Sequence, residues 1–124
     1  MGTTFEDLDV WKRSCRLTVE MFSLLKSCKE YGLKDQMLRA SVSIASNIAE
    51  GSERNSSAEF RRFLFIAKGS AAELRTQVYI AGSIGVFEAD VCQRLAAELK
   101  EVSKMLQGLA NSLSTSRSVG RKEQ

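Results

Sequence analysis

Proline is absent from all 124 residues of this chain, so no position forces a helix to break. Apolar residues recur instead at the three- and four-residue spacing of an amphipathic helix. Hydrophobic residues make up 44% of the chain and aromatic residues only 7%, a mixture that favours helix over strand. The sequence therefore predicts a single all-α domain with a buried core.

Capping residues and glycines divide the chain into four predicted helices. They cover approximately residues 7–30, 34–50, 56–83 and 88–113. Asp7 is the predicted N-cap of the first, and Ser56 with Glu59 forms a capping box that opens the third. The first three helices end at glycines, namely Gly32, Gly51 and Gly85. Short connections make neighbours antiparallel, so residues 1–113 are predicted to form an up-and-down antiparallel four-helix bundle. A disordered polar tail is expected at residues 114–124.

Each predicted helix has one apolar stripe that we expect to face the core. The stripe of the first helix is Leu8, Trp11, Cys15, Thr18, Val19 and Phe22, and that of the second is Leu38, Val42, Ala45, Ile48 and Ala49. The stripe of the third helix is Phe60, Phe63, Leu64, Ala67, Ala71, Leu74, Val78 and Ala81. The stripe of the fourth is Val91, Leu95, Leu99, Val102, Leu106, Leu109 and Leu113. The first and third helices carry further apolar residues off these stripes: Val10, Leu17, Met21 and Leu24, and Phe65, Ile66, Tyr79, Ile80 and Ile84. This surplus predicts a homo-oligomer with Phe65 and Ile80 in its interface, unless a wide core absorbs it.

Several classes of activity are excluded or disfavoured by what the sequence lacks. Histidine is absent, which excludes a histidine general base and histidine metal ligands. No glycine-rich phosphate-binding motif occurs. The three cysteines, Cys15, Cys28 and Cys92, lack paired spacing and fit a reducing compartment, and no apolar run reaches membrane-spanning length. We therefore expect a cytoplasmic, non-enzymatic protein with no catalytic residues, cofactor, metal site or membrane contact.

The second predicted helix has an unusual outer face of mostly short and amide side chains. Its members are Gln36, Arg39, Ser43, Asn47 and Glu50. Such groups suit hydrogen bonding to another helix or a ligand in restricted space, although an ordinary exposed stripe is the alternative. A hairpin that turns near residue 54 places Ala40 close to Gly69. It also brings Arg39 within reach of Glu73, with Ser70 able to join them.

Positive charge is concentrated where the third helix begins. The chain has 18 basic and 15 acidic residues, a net charge of +3, and residues 53–86 hold five basic against three acidic residues. Arg54, Arg61, Arg62 and Lys68 lie in the first part of this segment. They form a candidate surface for nucleic acid or an acidic partner. The alternative is a basic surface that is only solvated.

The second helix also carries a resemblance to a known family. The run from Gln36 to Gly51, with Arg39-Ala-Ser and Asn47-Ile-Ala-Glu-Gly51 inside it, resembles the signature of the four-helix bundle proteins, also called 23S rRNA intervening-sequence proteins. Supporting segments are Phe5-Glu-Asp-Leu8, Tyr31-Gly32-Leu33 and Ala67-Lys-Gly69-Ser70. The resemblance implies an up-and-down bundle that assembles as a homopentameric ring. It also implies relatives that bind a reverse transcriptase and present basic surface to nucleic acid.

Two function classes remain open at this point. One is a non-enzymatic oligomeric adaptor that binds RNA or a nucleic-acid-processing partner. The other is a scaffold for a protein partner, with no nucleic-acid role. Salt-dependent binding to generic RNA separates the two, because phosphate contacts weaken steeply with salt.

Overall fold

The computed structural model describes the backbone of residues 4–122 and the side chains of residues 4–113. A short 3-10 turn, Phe5–Asp7, precedes four α-helices: α1 Asp9–Leu24, α2 Tyr31–Ser52, α3 Ser57–Ser83 and α4 Ala89–Lys122. No strand occurs in residues 4–122, so the predicted all-α class is confirmed. Where a disordered tail was expected, at residues 114–124, the structure continues α4 through residue 122, and residues 123–124 lie outside the described residues.

Neighbouring helices run antiparallel, as paired contacts along each seam show. The pairs are Ser43–Ser70 and Gly51–Phe63 between α2 and α3, Lys68–Gln107 and Arg61–Ala110 between α3 and α4, and Arg13–Glu98 and Glu20–Arg94 between α1 and α4. In each seam the residue number rises on one helix as it falls on the other. The four helices therefore alternate in direction and close into a bundle, with α1 between α2 and α4.

α3 and α4 form the part of the core that agrees best with the sequence prediction. Every residue of the predicted α3 stripe is buried except the half-buried Phe60, and the middle of the α4 stripe is buried from Leu95 to Leu106. The Ser56 hydroxyl accepts a hydrogen bond from the backbone N–H of Glu59 at 3.1 Å, which confirms the predicted cap. Gly85 has φ of +85° where α3 has ended, the left-handed conformation that favours glycine.

α1 is shorter than predicted at both ends. It begins after Leu8, and Asp7 is not its cap: the Asp7 carboxylate accepts from the Thr4 backbone N–H at 3.2 Å within the preceding turn. α1 ends at Leu24, and α2 already begins at Tyr31. Gly32, the predicted helix stop, lies in the first turn of α2, where backbone N–H groups have no intrahelical partner in any case.

The inward faces of α1 and α2 are rotated about the helix axis from those predicted, although Leu8, Trp11 and Leu38 still pack partly against the core. The structure buries Val10, Ser14, Leu17 and Met21 on α1, and Met37, Ala40, Ser41, Ile44, Ile48 and Gly51 on α2. Three residues assigned to the core, Val19, Phe22 and Val42, are 70%, 51% and 43% exposed. Of the stripe predicted for the second helix, Ile48 alone is fully buried. The surplus face of the first helix is thus its true core face.

Hydroxyl side chains at the α1–α2 contact explain why these faces of α1 and α2 are the buried ones. Ser14 donates to the Val10 carbonyl at 2.7 Å and Ser41 donates to the Leu38 carbonyl at 2.9 Å, so both hydroxyls are satisfied within their own helices. The Thr18 hydroxyl lies 2.9 Å from the Ser14 carbonyl oxygen and 3.0 Å from the Ser41 carbonyl oxygen, across the seam. Because these side chains are small and need no water, they can face inward and leave larger apolar groups outside.

The closest approach of α2 to α3 occurs at Gly51. A Cβ atom at this position would lie 2.5 Å from the Phe63 Cβ and 3.3 Å from the Phe60 carbonyl oxygen. Only glycine leaves room for that contact. Gly51 was predicted to end the helix, but α2 continues through Ser52, so the glycine is kept by packing and not by termination. Gly82 is similar: it lies inside α3, where a Cβ would collide with the Cys92 sulfur.

The predicted packing of Ala40 against Gly69 is wrong. A Cβ at Gly69 would meet no atom within 4 Å, and Gly69 is exposed. The Ser43–Ser70 contact shows that the register of α2 against α3 is displaced by about one helical turn from the expected one. The displacement follows from the turn itself, which occupies residues 53–56 because α2 extends beyond residue 50.

Two ion pairs fix the position of α1 against α4. The Arg13 guanidinium donates to both carboxylate oxygens of Glu98, at 2.6 and 2.9 Å, and Arg94 pairs with Glu20. The hydrogen bond from Arg13 holds the pKa of Glu98 below its usual value. Partly exposed pairs contribute about 0.2–1 kcal/mol each. Their main effect is therefore to align the two helices.

We predict that Gly51→Ala destabilises the fold by about 1–3 kcal/mol, because the added methyl group overpacks the contact with Phe63. Gly108→Ala on α4 is the matched control: a Cβ there meets nothing within 4 Å, so it should be neutral or stabilise by up to about 1 kcal/mol. Urea unfolding followed by circular dichroism measures both changes. Equal stability of the two variants would contradict the close approach at Gly51.

Candidate partner-binding surfaces

The outward sides of α1 and α2 form an apolar surface that we call the α1–α2 groove. Its apolar and weakly polar members are Cys15, Thr18, Val19, Phe22, Leu38, Val42 and Ala45. Asp35, Arg39, Ser43 and Ser46 also line it. Two adjoining hollows lie along it, one of about 510 Å³ at Phe22, Leu38 and Val42, and one of about 260 Å³ at Cys15, Val19 and Ala45. Burial raises the pKa of the Cys15 thiol, which keeps it protonated and apolar. A continuous apolar hollow of this kind is typical of a surface that binds a partner.

One end of the α1–α2 groove is basic. Lys26 and Lys34 stand beside Phe22 and Leu38 where the chain passes from α1 to α2. Neither lysine has an ion-pair partner among residues 4–113. Asp35, which also lines this end, is paired with Arg39. A partner that fills the hollow at Phe22 therefore meets a net positive charge there.

A second exposed surface, the α3 outer face, runs along the side of α3 turned away from the core. Ile66, Glu73, Ile80 and Ile84 follow one another along it, with Phe65 and Tyr79 at its edges. All five apolar members are exposed, as their position off the core stripe predicted. Phe65 lies towards α4, with the Arg61 guanidinium 4.9 Å from its ring centroid. The interface role of Phe65 and Ile80 stays a prediction.

The polar stripe of α2 forms a hydrogen-bond network at the α2–α3 seam. The hydroxyl oxygens of Ser43 and Ser70 lie 2.9 Å apart, and the Asn47 amide donates to the Ser43 carbonyl at 2.8 Å and to its hydroxyl at 2.9 Å. These three residues match the expectation of helix–helix hydrogen bonding. Gln36 and Glu50 are exposed, and Glu50 accepts from Arg54 at 2.9 Å within the same segment of chain. The stripe is thus part seam and part surface.

The expected link between Arg39 and Glu73 is wrong. Arg39 lies 3.3 Å from Asp35, one turn earlier on α2, and both side chains are largely exposed. Glu73 is exposed on α3 and has no ion pair among residues 4–113. Register does not separate them, because Ser43 beside Ser70 in an antiparallel seam leaves Arg39 level with Glu73. Arg39 pairs instead with Asp35 on its own helix, and Glu73 faces solvent.

One buried polar residue of the same seam escaped the sequence analysis. Gln77 is 5% exposed, and its side-chain oxygen has no hydrogen-bond partner among the described residues. The only sign in the sequence that Gln77 is buried was its position next to Val78, which belongs to the apolar stripe of α3. A polar residue inside an otherwise apolar helix face carries a cost unless it is paired.

The four predicted nucleic-acid-binding residues do not form one patch. Arg54 and Arg62 gather at Phe63, with guanidinium carbons 4.9 and 4.7 Å from its ring centroid. Each is also paired with an acidic side chain close in sequence, Arg54 with Glu50 at 2.9 Å and Arg62 with Glu59 at 3.4 Å. Arg54 and Arg62 both remain exposed to solvent at the α2–α3 turn.

Arg61 and Lys68 instead face α4. Arg61 donates to the carbonyl of Ala110 at 3.2 Å, and Lys68 donates to the side-chain oxygen of Gln107 at 2.8 Å. Both are half-buried. Sequence proximity misled the prediction here, because Arg61 and Arg62 are adjacent in sequence but point to different sides of α3.

The part of the chain that the structure describes contains no group of three or more cysteine, aspartate or glutamate side chains arranged to hold a metal ion. None of its helices combines the length and the apolar character that crossing a membrane requires.

A family model described as 23S rRNA-intervening sequence protein matches residues 6–108. The chain belongs to this family. The match covers α1, α2, α3 and most of α4, so the whole bundle is the family domain. No curated protein matches the chain in sequence.

A solved structure supports the fold of this intervening-sequence family member. It is the crystal structure of a protein of unknown function from the S23 ribosomal protein family of Bacteroides thetaiotaomicron. The two superpose with a TM-score of 0.77, over 82% of this chain and 97% of the other, at 24% sequence identity. A likeness at this level shows a common fold.

The exposure of the α1–α2 groove can be tested with one substitution at two positions of α1. Val10→Ser places a hydroxyl in the core and should destabilise the fold by about 2–3 kcal/mol. Val19→Ser, the matched control, changes a side chain that is 70% exposed in the single chain. At dilutions where the protein is monomeric it should alter stability by no more than about 0.5 kcal/mol. Chemical unfolding distinguishes the two. A larger loss at Val19 than at Val10 would restore the face assignment that the sequence suggested.

Proposed function

We propose that this protein is a non-enzymatic, homo-oligomeric adaptor whose copies join through apolar surface, and that the assembled oligomer presents its remaining surface to a partner. The proposed assembly is a pentameric ring, as the family resemblance implies. The partner is RNA or a nucleic-acid-processing protein. The observation that carries the proposal is the composition of the two outward surfaces.

The α1–α2 groove has a mostly apolar lining that is exposed in the single chain. Phe22, Val42 and Val19 are all at least 43% exposed, and Ile80 on the α3 outer face is 47% exposed. Burying apolar surface contributes about 25 cal/mol per Å². Covering both surfaces would therefore stabilise the oligomer strongly, which supports self-assembly.

Support for a non-enzymatic role comes from the titratable side chains. Burial raises the pKa of the Cys15 thiol, and burial together with the nearby Asp90 charge raises that of Cys92. A raised pKa leaves less thiolate at neutral pH, so neither cysteine is activated as a nucleophile. Glu98, whose pKa is lowered, is held by Arg13 in a structural ion pair.

Support for a polyanionic partner comes from Arg54 and Arg62 at the α2–α3 turn. They are the exposed half of the predicted basic cluster, and a ring would repeat them around its axis. Glu50 and Glu59 compete with phosphate for both guanidinium groups. RNA affinity should therefore be modest and salt-dependent. A scaffold for a protein partner, without nucleic acid, is the alternative for the same oligomer.

The first expected result concerns assembly. At micromolar concentration the protein should sediment as an oligomer of its 13.7 kDa chain, with five copies if the ring is as proposed. The oligomer should persist at high salt, because burial of apolar surface does not depend on charge attraction. Sedimentation equilibrium in low and high salt measures this. A 13.7 kDa species in both conditions would refute the oligomeric adaptor.

The second expected result concerns RNA. Wild-type protein should bind short single-stranded RNA, with affinity falling between about 50 and 200 mM salt. The double variant Arg54→Glu/Arg62→Glu should bind more weakly and with a reduced salt slope. Lys100→Glu/Lys104→Glu on α4 is the control with the same change in charge and should bind nearly as wild type does. Fluorescence anisotropy reports both. Absence of wild-type binding at low salt would leave the protein scaffold as the function.

A further inference from the structure

We propose that copies of this chain join head to tail, with the α3 outer face of one copy seated in the α1–α2 groove of the next. The inference rests on the proposed oligomer and specifies its interface. Three properties of the described surfaces support it: their shapes, the spacing of their charges and their positions on the bundle.

The two surfaces have complementary shapes. The α1–α2 groove is concave, because it lies between two helices and contains hollows at Phe22 and Val42. The α3 outer face is the convex side of a single helix, and Ile66 and Ile80 project from it at intervals of two turns about Glu73. Isoleucine side chains are of a size to fill such hollows, and a helix seated between two others is a common packing arrangement.

The charges match at the same spacing. Glu73 is seven residues from both Ile66 and Ile80, or about 10 Å along α3. Lys34 is eight residues from Val42, or about 12 Å along α2. When either isoleucine occupies the hollow at Val42 and α3 lies along the groove, Glu73 can therefore reach the basic end. Glu73 and Lys34 both lack an ion-pair partner within residues 4–113 of their own chain.

The positions of the two surfaces determine the kind of assembly. α3 packs between α2 and α4. Its outer face borders the α2–α3 seam, because Ser70, which meets Ser43, lies between Ile66 and Glu73 on the same side of α3, and α2 separates this face from the α1–α2 groove. A contact between two different surfaces of identical copies is heterologous, and its repetition closes a ring or extends a filament. The occupant of the groove is thus a second copy, because this chain itself carries the matching surface.

Two single variants and their mixture test the pairing. Val42→Asp disables the groove and Ile80→Asp disables the α3 outer face, and both positions are exposed, so the helical fold should persist in circular dichroism. Each variant alone should lose the oligomer and sediment at 13.7 kDa. An equal mixture should form a heterodimer of twice that mass and stop there, because one intact groove meets one intact α3 face and no further intact pair remains.

The outcomes separate this inference from the oligomer proposal. If both variants remain oligomeric like the wild type, the pairing is wrong and the oligomer stands. If wild-type protein is itself monomeric, both are wrong. If both variants are monomers and their mixture stays monomeric, the two surfaces do not bind each other and the pairing is wrong. If Val42→Asp alone is a monomer, the contact is groove to groove and the pairing is likewise wrong.

A charge exchange provides a second measurement that does not alter the apolar residues. Glu73→Lys and Lys34→Glu should each weaken assembly at low salt, because each places like charges together across the interface. The double variant should restore assembly towards the wild-type level. Rescue identifies the ionic contact, whereas additive weakening in the double variant would contradict the proposed alignment of α3 in the groove.

Discussion

The arrangement of this bundle depends on a contact made by hydroxyl groups between α1 and α2. Ser14 and Ser41 are fully buried, and both hydroxyls are satisfied by carbonyl groups of their own helices. Thr18 extends the contact to the carbonyl of Ser41 on the neighbouring helix. Because these residues are small, the two helices can meet along them. Their bulkier apolar residues are then divided between the core and the outer surface.

The sequence was sufficient to predict the elements in which one apolar stripe runs unbroken along the helix. α3 and α4 have a single clear stripe each, and the cap at Ser56 and the left-handed Gly85 mark the limits of α3. The exposed apolar surplus of α3 was also predictable, because its residues lie off an unambiguous stripe. Periodicity predicts well wherever polar and apolar residues occupy different sides of a helix.

Periodicity was insufficient where both sides of a helix are apolar. On α1 the exposed side includes Phe22 and Val19, while the buried side includes Ser14, so hydrophobicity alone points to the wrong face. The local hydrogen bond that makes Ser14 acceptable in the core cannot be inferred from spacing. The candidate site shared this difficulty, because the expected pairing of Arg39 with Glu73 and the grouping of the basic residues overlooked nearer partners. Arg39, Arg54 and Arg62 pair with acidic residues three or four positions away, and Arg61 and Lys68 reach α4.

The slight attachment of α1 has a consequence for how the protein opens. α3 packs along both α2 and α4, whereas α1 has much less contact with its neighbours and is joined to α4 mainly by the pairs at Arg13 and Glu20. Local opening should therefore begin at α1, and its backbone amides should exchange with solvent at a lower free energy than those of α3. Any molecule that covers the outer side of α1 would also hold this helix in place. Binding of a partner to the outer side of α1 and the completion of folding at α1 are in this way coupled.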